Sequence, residues 1–215
     1  MKPIIKVNQV RNPVFPDRLK HSGASHSLNR IYIEVTNRCN LECRICIRNT
    51  WNDGLGAMLL ETYQKLIKDI ECATPVPEIF FGGYGEPLSH PDIIEMIQSA
   101  AQIGAETSLI TNGTLLGDVI SKALVTSGLD RLWVSLDGAH ADSYQDIHLG
   151  AYLPQIIHNL ERFQEIKNNS QAIPGSTGGL ELGIAFVLMK RNIADFLDII
   201  DLGRRLGINS FFITN

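Results

Sequence analysis

The stretch Ile31–Cys46 reads IYIEVTNRCNLECRIC, and both the fold and the chemistry turn on it. Its first half is rich in β-branched and aromatic residues, as a strand requires. Its second half is a polar loop carrying Cys39, Cys43 and Cys46 with the spacing Cys-x3-Cys-x2-Cys. Thiolates are soft ligands that suit iron in a sulfide cluster. This spacing is tight enough for one loop to wrap one cluster. A [4Fe–4S] cluster ordinarily takes four cysteines, so three would leave one iron open. An open coordination position separates reactive metal centres from structural ones. The alternatives are a three-cysteine zinc site completed by a distant ligand, and a set of buried free thiols.

Outward from this loop, short β-rich runs alternate with segments of helical period. The runs are Ile31–Thr36, Glu78–Phe81, Thr107–Thr111, Arg131–Leu136, Leu182–Met189 and Ser210–Thr214. Apolar stripes at helical spacing lie between them, beginning at Leu59, Ile93, Val119, Ile156 and Phe196. His90-Pro91-Asp92 predicts a helix start with Pro91 in the first helical position. Alternation of strand and helix means parallel strands joined by right-handed crossovers. The pattern predicts an α/β fold, either a curved partial barrel or an open doubly wound sheet. In both, the site sits at the C-terminal ends of the strands. Residues 1–30 read as an irregular lead-in, residues 31–215 as one domain, and Asn168–Gly179 as a loose loop. An apolar sixth strand with nothing after Asn215 to cover it is a liability. The expectation is therefore a chain cut before its last helix and any C-terminal domain.

Composition narrows the function classes. The chain has 215 residues and a formal net charge of -4, so no basic excess exists to bind nucleic acid. The N-terminal segment has neither a signal-peptide core nor a membrane-spanning run. The expectation is a cytoplasmic protein without a membrane or nucleic-acid partner. Three of the four cysteines cluster, which points to metal rather than to a disulfide framework. Cys72 follows a helix and so falls at the opposite pole, where a small buried hydrophobe is the expected role. Glu34 shares a strand face with Tyr32 and Thr36. If that face is the lumen, Glu34 is a buried carboxylate expected to pair with an arginine or lysine.

With this loop after a first strand, the chain resembles the radical S-adenosylmethionine (SAM) superfamily, from Ile31 to Asn215. The resemblance implies a partial (β/α)6 barrel, a [4Fe–4S] cluster on Cys39, Cys43 and Cys46, and SAM chelated by the open iron. Reductive cleavage of SAM would then yield a 5′-deoxyadenosyl radical that abstracts hydrogen. Further motifs carry the resemblance. FFGGYGEPLSHPD, Phe80–Asp92, is similar to the family's glycine–glutamate turn and implies that Gly83, Gly85 and Glu86 bind the cofactor. ITNG, Ile110–Gly113, implies that Thr111 and Asn112 face the substrate side. VSLDG, Val134–Gly138, implies that Ser135 hydrogen-bonds SAM and Asp137 shapes the adjacent loop. AFVLM, Ala185–Met189, implies apolar contact with the adenine, with Met189 or its neighbour nearest. Taken alone, each of these is also an ordinary turn, strand end or core strand.

Two departures stand out. Ile45 replaces the aromatic residue that relatives commonly place before the third cysteine, and Trp51 could supply that packing instead. His148 stands where relatives carry an arginine that clamps the SAM carboxylate; the alternative is a solvated surface histidine. The wording around the cysteines most resembles the maturase subgroup that carries an auxiliary-cluster (SPASM or twitch) domain. The tail Ile47–Trp51 is similar to maturases of tungsten cofactor oxidoreductases. Molybdopterin-precursor cyclases share the same motifs. A rival from another class is a non-catalytic Fe–S redox or scaffold module. The resemblance implies an electron donor such as ferredoxin or flavodoxin, and a peptide, protein or small-molecule substrate.

Overall fold

The computed structural model describes residues 28–52, 54–171 and 179–215. The lead-in up to residue 27, and residues 172–178 of the expected loop, lie outside them. The strands are β1 (Arg30–Ile33), β2 (Glu78–Phe81), β3 (Thr107–Thr111), β4 (Arg131–Ser135), β5 (Glu181–Val187) and β6 (Ser210–Thr214). The helices are α1 (Leu60–Glu71), α2 (Ile93–Gln102), α3 (Asp118–Val125), α4 (Ala141–Ile147), α5 (Leu153–Gln171) and α6 (Phe196–Arg205). All neighbouring strands pair in parallel, in the order β1-β2-β3-β4-β5-β6.

That order decides between the two expected architectures. A doubly wound sheet needs a point where strand order reverses. Here it never reverses, so right-handed crossovers carry every helix to the same side of the sheet. The helix-facing side is apolar: Ile33, Phe81, Leu109, Leu132, Val134, Ile184 and Phe186 are buried. Tyr63, Ile97, Leu124, Ile156, Phe163 and Ile199 on the helices meet them in one core. The other side forms the concave face of an incomplete barrel.

The concave face is layered. Charged residues at the N-terminal ends of the strands form a floor. Arg30 pairs with Glu78, Ser108 donates to Glu78, and Arg131 pairs with both Glu106 and Glu181. Each exposed pair contributes little alone, but together they tie most strand ends. Two residues further along come Tyr32, Phe80, Trp133 and Phe212. Tyr32 is 65% exposed and Phe212 54%. Gly183 lies under Trp133, where an added Cβ would sit 2.3 Å from the indole. Among the described residues no helix is long and apolar enough to cross a membrane.

Local differences from the sequence reading have physical causes. β1 stops at Ile33 rather than Thr36, because Thr36 instead bridges to Ala57 and donates its hydroxyl to Gly56 O. The helix expected at Pro91 begins at Ile93, since Pro87–Ser89 closes its own 3-10 turn and the His90 ring accepts the Asp92 amide. Asn168–Gln171, expected in a loop, forms the last turn of α5. Helix α4 went unread because only Tyr144 and Ile147 bury an apolar face over its single short span. Cys72 caps α1 at the expected pole but is exposed, not buried, with its Sγ 3.5 Å from Lys68 O.

The layering predicts a contrast in stability. Leu132→Ala, which empties fully buried space beneath the helices, should cost about 2–5 kcal/mol. Val119→Ala, at an exposed position of α3, should stay within about 0.5 kcal/mol. Urea unfolding followed by circular dichroism checks both, and equal costs would contradict this core assignment.

Candidate functional site: the cysteine loop and its buried supports

The loop after β1 folds back over the C-terminal ends of the sheet. Its backbone is held at residues 42–44, where Glu42 N donates to Leu149 O and Arg44 N to Ile147 O. Arg48 braces it from inside the curve, donating to Leu41 O at 2.8 Å and to Asn37 O at 3.4 Å. Asn37 is buried and locks the following segment by donating to Gly54 O and accepting from Gly56 N. Cys39, Cys43 and Cys46 are all partly buried on this loop. Trp51 stands edge-on to Tyr84 at 4.4 Å between ring centres. It lines a cleft of about 290 Å³ with Asn37, Cys39, Asn40, Glu42, Arg48 and Leu55.

Beneath Cys39 lies Glu86, 1% exposed. Its carboxylate accepts from Leu88 N, Thr111 Oγ1 and Asn112 N at 3.0, 2.8 and 2.8 Å. Burial pushes its pKa up, and these three hydrogen bonds pull the other way without cancelling it. Asn112 in turn places Nδ2 3.8 Å from Cys39 Sγ and 3.0 Å from Asn40 Oδ1. The turn after β2 therefore joins the end of β3 to the first cysteine. Glu34 completes the turn by accepting from Tyr84 N at 2.6 Å. Its partner is a backbone amide, not the arginine or lysine expected.

Beneath Cys43 lies a second buried group. His148 is 3% exposed, with Nδ1 3.3 Å from Cys43 Sγ and Nε2 2.9 Å from Asp137 Oδ2. Its ring stacks on Tyr144 at 4.6 Å. Asp137 is fully buried, and its other oxygen accepts from Val187 N at 2.6 Å. Asn192 closes the set by donating to Asp137 O and Val187 O. Asp137 thus clamps the ends of β4 and β5 and orients the ring that meets Cys43.

A family model described as the Radical SAM superfamily matches residues 33–202. The chain belongs to the radical SAM superfamily. Members of this superfamily are enzymes, and the curated relatives of this chain carry enzyme or cofactor-modifying names. One is the tungsten-containing aldehyde ferredoxin oxidoreductase cofactor-modifying protein of Pyrococcus furiosus, 28% identical over 86% of this chain and 51% of that protein. Another is a GTP 3′,8-cyclase of Clostridium perfringens, 29% identical over 86% of this chain and 55% of that protein. The chain thus spans about half the length of these relatives. Among solved structures, Streptococcus suis SuiB bound to S-adenosylmethionine shares the fold with a TM-score of 0.69 at 18% identity, covering 87% of this chain and 40% of that one. HydG, a maturase of the [FeFe]-hydrogenase, does so with a TM-score of 0.62 at 15% identity, covering 86% and 43%.

Within this radical SAM core, the structure places each residue that the resemblance singled out. Both oxygens of the Glu86 carboxylate accept from protein groups. Thr111 is buried beneath the loop and donates to Glu86. Asn112 turns to Cys39 and Asn40. His148 is not the solvated surface histidine of the alternative reading; it is walled in between Cys43 and Asp137. Gly85 is glycine because an added Cβ would lie 2.0 Å from Thr36 O, a backbone contact that cannot give way. Gly83 lies against Glu34, where a Cβ would fall 2.6 Å from the side chain. Ser135 is partly buried at the end of β4, with its hydroxyl 3.5 Å from Asp137 Oδ2. Met189 is partly buried after β5, and its amide donates to Asn192 Oδ1. Asn192, Arg48 and Asn37 were missed; the only sequence signal was their position just past a strand or within the cysteine loop.

The donor set fits a cluster. Burial, followed by the neighbouring Cys39 and Cys46, pushes the Cys43 thiol up to about 12, and Asp137 adds to this. Such a thiol keeps its proton against water and gives it up to a metal. Among the described residues, no three His, Cys, Asp or Glu side chains converge as a single ion requires. A cluster asks less, since each iron takes its own thiolate.

Glu86 yields a prediction whose sign follows from its raised pKa. The folded chain holds this proton to higher pH than the unfolded chain does. Its contribution to stability is therefore complete below the ordinary carboxylate range and is lost as pH rises through the folded value. Glu86→Gln turns an amide N–H toward a backbone donor and should cost about 1–3 kcal/mol. The stability gap from wild type should narrow as pH rises. Urea titrations across pH measure this, and a gap that widens would contradict the assignment.

Proposed function

We propose that this chain is the catalytic core of a radical SAM enzyme in which Cys39, Cys43 and Cys46 hold one [4Fe–4S] cluster. The observation that carries the reading is three thiols on one braced loop, lying on the strand ends of a family-matched barrel. When bound, such a cluster supplies an electron for reductive cleavage of SAM to methionine and a hydrogen-abstracting 5′-deoxyadenosyl radical.

The chain's own residues divide the remaining work. Arg48, Asn112 and His148 fix the loop that offers the thiolates. Ser135 and the backbone of the Gly83–Gly85 turn are assigned to SAM, with Met189 beside the adenine. Glu86, Thr111 and Asp137 support these groups from below. The aromatic concave face, with Tyr32, Phe80 and Trp133, is open to receive a substrate. Maturation of a peptide, an enzyme or a cofactor is the favoured role, supported by the relative named as a cofactor-modifying protein. A cyclase acting on GTP is the second reading, supported by relatives bearing that name. A ferredoxin or flavodoxin is the proposed electron donor.

Anaerobic reconstitution should load ~4 irons per chain, as one [4Fe–4S] unit requires. Cys39→Ala, Cys43→Ala and Cys46→Ala should each abolish the cluster, and Cys72→Ala should leave it intact. With dithionite and SAM, the loaded chain should release 5′-deoxyadenosine slowly. Faster release with GTP than with peptide substrates would favour the cyclase reading. A loaded chain that never binds SAM would turn the assignment to a non-catalytic Fe–S module.

A further inference from the structure

We propose that His148 donates a hydrogen bond from Nδ1 to the Cys43 sulfur and thereby raises the reduction potential of the cluster, with Asp137 as the residue that positions it. The inference rests on the reading that Cys43 is a cluster ligand.

The geometry is specific. Nδ1 lies 3.3 Å from Cys43 Sγ, and Nε2 lies 2.9 Å from Asp137 Oδ2. The ring has no freedom to turn away. It is buried, stacked on Tyr144, and flanked by the backbone bonds that join residues 42–44 to 147–149. Asp137 is itself fixed by Val187 N and Asn192. A metal-bound thiolate has no proton to give, so the hydrogen in this contact comes from the ring. Asp137 accepts from Nε2 on the far side and fixes the ring's orientation, so both ring nitrogens carry hydrogen and the ring in this arrangement is an imidazolium held between two anions. The ring touches a ligand sulfur instead of the metal.

The consequence is electrostatic. Reduction adds one electron, taken from an external one-electron donor, to the cluster and its thiolates, and no proton moves. An N–H aimed at one of those sulfurs stabilises the added negative charge more than it stabilises the oxidised state. Hydrogen bonds to cluster sulfurs are among the factors that set these potentials. Cys39 has more distant counterparts in Leu41 N at 3.5 Å and Asn112 Nδ2 at 3.8 Å, so His148 makes the shortest of these sulfur contacts.

The test separates the sulfur contact from packing. The amide nitrogen of asparagine falls near the position of histidine Nδ1, and that of glutamine near Nε2. His148→Asn therefore keeps a donor for Cys43, whereas His148→Gln keeps the Asp137 contact and loses the sulfur contact. His148→Phe keeps the ring stacked on Tyr144 and has no donor. Each chain is reconstituted, its iron and sulfide are counted, and the one-electron couple is titrated by electron paramagnetic resonance.

At the wild-type midpoint, His148→Gln and His148→Phe should show a reduced-to-oxidised ratio about tenfold lower, equivalent to ~59 mV for one electron. His148→Asn, which keeps the donor for Cys43 but not the ring's charge, should fall between these variants and wild type. Equal potentials in all loaded chains, or a shared loss of stability with no split in potential, would overturn the inference and leave the cluster assignment standing. A wild-type chain that takes up no iron would overturn the cluster assignment itself. If the glutamine variant fails to load, the comparison of His148→Phe with wild type decides alone.

Discussion

Two carboxylates with almost no access to water, Glu86 and Asp137, hold the strand ends on which the cysteine loop rests. Burying a carboxylate is costly unless its oxygens find donors. Here each finds several, and the donors come from segments that would otherwise end in unpaired backbone. Glu86 collects amides from its own turn and from the end of β3; Asp137 collects the amide at the end of β5. A parallel sheet closes its C-terminal edge only through such connections, because the strands themselves cannot pair further. The polar layer is at once the end of the fold and the floor of the site.

This layer explains why the loop can be both irregular and fixed. It contains no long regular element, yet its backbone and side chains are bonded at Asn37, Glu42, Arg44 and Arg48. Precise placement of reacting groups comes from supports of this kind more than from the groups themselves. The opposite pole is built differently. Its ionic floor of Arg30, Glu78, Arg131 and Glu181 is partly solvated, and it ties strands without enclosing anything.

The sequence carried the strand positions well, because runs such as Glu78–Phe81 and Thr107–Thr111 are dense in β-forming residues and end in marked turns. The cysteine trio was legible for a related reason: all three thiols fall in one loop, so spacing alone picks them out. What stayed hidden depends on distance along the chain. Cys43 and His148 lie 105 residues apart, and Glu86 and Asn112 lie 26 apart. Neither pairing has a local pattern. The resemblance assigns Glu86 and His148 to the cofactor and Thr111 to the substrate side by position, and position does not reveal the protein contacts that each side chain makes. Asn192 looked like an ordinary loop residue, and only its contacts with Asp137 and Val187 give it a role.

The central claim is that three cysteines of this chain hold a four-iron cluster and leave one iron for SAM. Mössbauer spectroscopy of the chain reconstituted with iron-57, recorded with and without SAM, tests it most directly. The account predicts a four-iron spectrum in which one iron alone changes its parameters when SAM is added. Four irons that all ignore SAM, or iron bound as single ions, would contradict it.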